Sequence, residues 1–85
     1  MTRPAMKLNI VPEKSLHPSL QALNSHQRRL VNDLLLNDED STDEEMGTQF
    51  IGFGLSEEAS KEALAYRDQA LMDPFFHLFD PAVLV

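Results

Sequence analysis

The chain has 85 residues, no cysteine, 42% hydrophobic residues and a formal net charge of −7 at pH 7. That length holds one domain and buries only roughly 60% of the unfolded chain's surface, with no disulfide or Cys-based zinc site to reinforce it. A sequence pI near 4.7 places the chain badly for neutralising phosphates, which argues against a nucleic-acid partner.

No apolar run approaches the ~20 residues of a membrane span, and the N-terminus lacks the uninterrupted apolar core of a signal peptide. A soluble, cytoplasmic protein is therefore expected, drawing extra stability from a partner or from a second copy. Charge is distributed unevenly. Residues 1–37 carry five Lys/Arg against Glu13 and Asp33, a net of +3, and residues 38–85 carry two against twelve acids, a net of −10. Such asymmetry serves solubility or pairing with a surface of opposite sign.

Residues 1–14 read as an N-terminal arm or an edge strand. Met6–Ile10 alternates apolar and polar residues, the period of a half-buried strand, and Pro4 and Pro12 confine it to an edge. Residues 15–85 read as a single small helical domain. Ser15 can cap its first helix, and Pro18 is tolerated in a first turn. Leu16, Leu20, Leu23, Leu30 and Leu34 then form a helical stripe, with Gln27 filling a gap. Asn24-Ser25 interrupts it, and the reading favours a short turn followed by a fresh helix over Ser25–Leu36, capped by Ser25. The run Leu34-Leu35-Leu36 is wider than one buried face needs.

Residues 37–47 read as a mobile acidic loop. Asp38, Glu39, Asp40, Asp43, Glu44 and Glu45 place six acids within eight residues, with no neighbouring cation in the sequence. The run suits a solvated loop, an acidic surface that docks on a basic protein, or a substrate for an acid-directed kinase at Ser41 and Thr42. Thr48–Leu55 reads as a strand through Phe50, Ile51 and Phe53, where Gly52 and Gly54 either mark a bulge or turn packed on the following helix or bare one edge to a partner strand. Ser56 caps the next helix, with Glu57 and Glu58 in its first turn. Its apolar face is mostly Ala with Tyr66 the one large side chain, and it ends at Asp73 before Pro74.

Residues 73–85 form an apolar tail with two Asp-Pro turns. Phe75, Phe76 and Phe79 either complete the core or anchor a partner. His17, His26 and His77 are too dispersed for a ligand cluster, and no phosphate loop or catalytic motif is present. No cofactor, metal or enzymatic activity is expected.

A strand, then Leu55-Ser56-Glu57-Glu58, then an Ala/Leu helix resembles the first half of a ribbon–helix–helix repressor. That resemblance implies a dimer whose paired strands enter the DNA major groove. The sequence departs from it where Gln49, Ile51 and Phe53, or Gly52 and Gly54 in the other register, stand at the outward strand positions in place of base-reading side chains, and where Pro74 and Pro81 interrupt any second helix.

The expected fold is mainly α with a small β element, two packed helices joined by the acidic loop and a short strand. The expected function is a small acidic regulator, of antitoxin, inhibitor or adaptor type, docking on another and basic protein. Asp38, Glu39, Asp40, Asp43, Glu44, Glu45, Leu34, Leu35, Phe75, Phe76 and Phe79 are its candidate contacts. A DNA-binding homodimer and a structural subunit of a larger assembly are the alternatives.

Overall fold

A computed structural model describes residues 8–83. Helices dominate, and the one sheet among the described residues has two short parallel strands. The chain runs through β1 (Asn9–Ile10), a 3₁₀ turn (Glu13–Ser15), α1 (Pro18–Gln21) and α2 (Ser25–Asn37). It continues through α3 (Asp43–Gly52), α4 (Glu57–Leu64), α5 (Arg67–Met72), β2 (Phe76–His77) and a closing 3₁₀ turn (Pro81–Val83). The mainly α class with a small β element holds, but its elements fall differently from the expected ones.

The first helical region divides in two, as the Asn24-Ser25 interruption suggests. His17, not Ser15, caps α1, its Nδ1 accepting the Ser19 N–H at 3.2 Å. Asn24, one residue before the expected cap, starts α2. Its Oδ1 accepts the Gln27 N–H at 2.8 Å and the Gln27 Oε1 accepts the Asn24 N–H at 3.0 Å, which satisfies two donors at the helix start. Gln27 also donates from Nε2 to the Phe53 carbonyl at 3.1 Å. The apparent gap in the leucine stripe thus joins the start of α2 to the end of α3.

Thr48–Leu55 is not a strand. Thr48–Gly52 completes α3, which begins inside the acidic run. Thr42 and Glu45 form a capping box, with Thr42 Oγ1 accepting the Glu45 N–H at 3.1 Å and Glu45 Oε1 accepting the Thr42 N–H at 2.8 Å. At the other end Gly54 N–H donates to the Ile51 carbonyl at 2.9 Å, and Leu55 N–H donates to the Phe50 carbonyl at 3.1 Å. These two bonds make a Schellman motif, with Leu55 packing back near Phe50 in the same core. Gly54 adopts φ +96°, and a Cβ there would lie 2.9 Å from Gln27 Nε2. The positive φ favours glycine, and any side chain there would also displace the Gln27 amide from its bond to Phe53.

Ser56 caps α4 as expected, its Oγ accepting the Ala59 N–H at 3.1 Å. The predicted single helix to Asp73 breaks at Ala65-Tyr66. Tyr66 N–H reaches back only to the Ala63 carbonyl, at 3.1 Å, a tight turn that sets α5 against α2. Tyr66 stacks on Phe76 with ring centroids 5.9 Å apart.

The β element lies at the chain ends. Met6-Lys7, the start of the expected first strand, falls outside the described residues, and its last two residues form β1. Asn9 pairs with Phe76 and Ile10 with His77, through the Asn9 N–H to the Phe75 carbonyl at 2.9 Å. Asn32, buried on α2, extends this arrangement. Its Nδ2 donates to the Phe79 carbonyl at 2.8 Å and its Oδ1 accepts the Phe79 N–H at 3.1 Å. One side-chain amide satisfies both backbone groups that burial of Phe79 takes from water.

One core gathers Leu16, Leu20 and Leu23, Val31 and Leu35 of α2, Met46 and Phe50 of α3, and Ala59 and Ala63 of α4, with Phe76, Leu78 and Phe79 of the tail. No helix among the described residues is long and apolar enough to cross a membrane.

Candidate protein-docking face

The acidic run is held in place by an arginine that lies far from it in sequence. Arg67 on α5 has a side chain only 8% exposed, and its Nη1 donates to Asp43 Oδ1 at 2.8 Å. Its Nη2 donates to the carbonyls of Ser41 and Asp38, and its Nε is buried without a hydrogen-bond partner. Burial of a guanidinium is costly unless it is paired. Carbonyls and the start of α3 therefore converge on it, and the segment expected to be mobile is pinned.

Asp38 folds the loop onto itself. Its carboxylate accepts the Ser41 hydroxyl at 2.6 Å, the Ser41 N–H at 3.0 Å and the Asp40 N–H at 3.2 Å. The Ser41 hydroxyl, followed by the Ser41 amide, holds the Asp38 carboxyl below its ordinary pKa, and Arg67 adds a smaller pull. Glu39 and Asp40 are exposed on the loop, and Asp43, Glu44 and Glu45 are exposed on the first turn of α3. There their charge complements the helix N-terminus.

The apolar candidates separate sharply. Leu35, Phe76 and Phe79 are at most 2% exposed and belong to the core, so they cannot anchor a partner on the folded chain. Leu34 is half-buried against the same core. Phe75 alone of the three phenylalanines remains exposed. Burial of Phe76, Leu78 and Phe79 makes this part of the tail core, one of the two roles the sequence left open.

A groove between α3 and α4 brings acids and apolar side chains together. Asp43, Glu44, Gly47, Thr48 and Ile51 line it from α3, and Glu57, Ser60, Lys61 and Leu64 from α4, around a volume of about 360 Å³. Glu44, Thr48 and Ile51 sit at i, i+4 and i+7, and Glu57, Ser60, Lys61 and Leu64 at i, i+3, i+4 and i+7, so each helix offers one face. The floor is shallow because the helices approach closely at Gly47. Ser60 Oγ donates to the Gly47 carbonyl at 3.2 Å, and a Cβ on Gly47 would meet Leu64 Cδ1 at 3.2 Å. An adjoining concavity is lined by Glu57, Glu58, Lys61 and Glu62, which carries the acidic surface along α4.

Ile51 is 48% exposed, and its assignment to a strand hid its place on a helix face beside the acidic run. The helical signals that would have exposed it are Thr42-x-x-Glu45 ahead of it and Gly54 behind it. Among the described residues, no group of three or more His, Asp or Glu is placed to hold a metal ion. No protein-family model matches the chain, and no curated protein or solved structure matches it either.

Proposed function

We propose that this protein is a small regulator that binds a basic partner protein through the acidic face built by the 38–43 loop, α3 and α4. The observation that carries this reading is the acid-rimmed groove, where Asp43, Glu44 and Glu57 surround the exposed Ile51 and the half-buried Leu64. An acidic surface kept only for solubility has no need of an exposed isoleucine at its centre. A binding surface needs both, since charges steer the encounter and buried apolar contacts slow dissociation. In this reading the chain acts by occupying its partner and performs no chemistry of its own. The strand on which the ribbon–helix–helix resemblance rested is helical, and that removes the support for a DNA-binding dimer.

The test is affinity capture with the wild type beside the Glu44→Lys/Glu57→Lys variant, followed by titration of the purified pair. A stoichiometric basic partner that the charge reversal releases, and whose association slows with added salt, is the expected result. A partner that binds both proteins equally, or a lone monomer that captures nothing the reversal alters, overturns the reading.

A further inference from the structure

The groove between α3 and α4 has a shape and a charge pattern that select among partner elements. Its walls are two helix faces whose backbone groups beyond the first turn are bonded within α3 and α4. An extended strand laid there would find no ladder of free N–H and C=O groups to pair with. A helix needs none, because its own backbone is satisfied internally. The small residues at the floor, Gly47 and Ser60, let a ridge of side chains approach closely between two larger ones, Ile51 and Leu64.

Charge narrows the choice further. Acids stand on both walls, Asp43 and Glu44 on α3 and Glu57 on α4, and among the described residues Lys61 is the one cation lining the groove. This chain is a poor occupant for its own groove. Among the described residues no helix carries more than two Lys/Arg, and Arg28 and Arg67 are engaged with Glu13 and Asp43.

We propose that the groove receives an amphipathic helix of the partner, with a narrow apolar ridge seated over Ile51 and Leu64 and Lys or Arg on both flanks. This inference rests on the acidic face being a docking surface and adds the kind of element that docks. Arg67 contributes indirectly, since by holding Asp43 it sets one wall before the partner arrives. Lys61 opposes a fully cationic helix and so marks where the partner carries a neutral or acidic residue.

The experiment is an amide shift titration of the ¹⁵N-labelled full chain with a synthetic helical peptide of leucine and lysine in amphipathic order. The controls are a scrambled peptide of the same composition and a proline-containing one that cannot form a helix. The expected shifts centre on Gly47, Thr48, Ile51, Ser60 and Lys61, with the amphipathic peptide binding most tightly. Ile51→Ser, at a half-exposed site that leaves the spectrum folded, should weaken it about tenfold, and Lys61→Glu should tighten it.

Equal binding of the scrambled or proline-containing peptide would overturn the helix-in-groove inference and leave the acidic docking face standing. No binding of any basic peptide at low salt would overturn both. The same shifts appearing on concentrating the protein alone would assign the groove to a second copy and overturn the inference.

Discussion

Two arginines each hold an irregular segment of this protein, and they hold it with different completeness. Arg28 grips Glu13 with both Nη atoms, at 2.6 and 2.9 Å, and donates to the carbonyls of Leu23 and Gln21 at 3.0 and 2.8 Å. Its guanidinium carbon also lies 5.0 Å from the centroid of the Phe79 ring. Arg67 meets one carboxylate oxygen and two carbonyls, and it leaves Nε unpaired in the interior. The carboxylate it meets, Asp43, has a side chain 77% exposed, whereas the Arg28 pair is fork-to-fork. The segment around Glu13 is therefore fastened firmly to the start of α2. The acidic segment is fastened less fully and against the mutual repulsion of its own charges, so it is the region of lower local stability.

Removing the stronger pin should have the largest effect. Arg28→Ala deletes the bidentate pair, two carbonyl contacts and the ring contact, and is expected to cost about 2–3 kcal/mol, read from urea unfolding midpoints. Arg67→Met should act differently, since methionine retains much of the buried volume and removes the unpaired Nε. Global stability should change by less than about 1 kcal/mol, while the Ser41 and Glu45 amides exchange faster. A global loss matching that of Arg28→Ala would show the two pins to be equivalent.

Asp43→Asn probes the exposed half of the weaker pin. It should cost about 0.5–1 kcal/mol by the same denaturation measurement, and a null effect would place the loop's anchorage in the carbonyl contacts alone.

Acid offers the gentlest comparison. The Arg28 side chain lowers the Glu13 pKa, and Ser41 lowers that of Asp38. A carboxyl depressed in the folded state contributes stability that is present above its unfolded pKa and is lost as pH falls through the folded value. Both contributions should therefore persist at neutral pH and fade below the ordinary carboxylate range. Following the Ser41 amide by NMR, the acid transition at the loop should vanish in Asp38→Asn and survive in Glu13→Gln, and the reverse result would misassign the two groups.

Legibility followed the range of the interaction. The Ser56 cap, the division of the first helical region and a strand ending at Ile10 rest on contacts within a few residues, or on a period that one strand displays by itself. Helix α3 was misread although both its caps are local. Phe50, Ile51 and Phe53 have strong β preference, and Gly52 and Gly54 resemble a bared strand edge. The core won that conflict by burying Met46 and Phe50 on a single helical face.

The acidic site divides the same way. That residues 38–45 are acidic and largely exposed was plain from their composition, and that Asp43 lies under Arg67 was not. The sequence by itself determined a chain that is mainly helical with a minor β part, free of cysteine and strongly acidic over its second half. Those properties follow from residue type and short-range pattern. Only the tertiary structure decided that Phe76 and Phe79 are core, that Asn32 closes the tail from 47 residues away, and that α3 and α4 leave Ile51 open between acidic walls. Each of those outcomes depends on which distant segments meet, and packing of the whole chain chooses that through burial and the pairing of polar groups that burial demands.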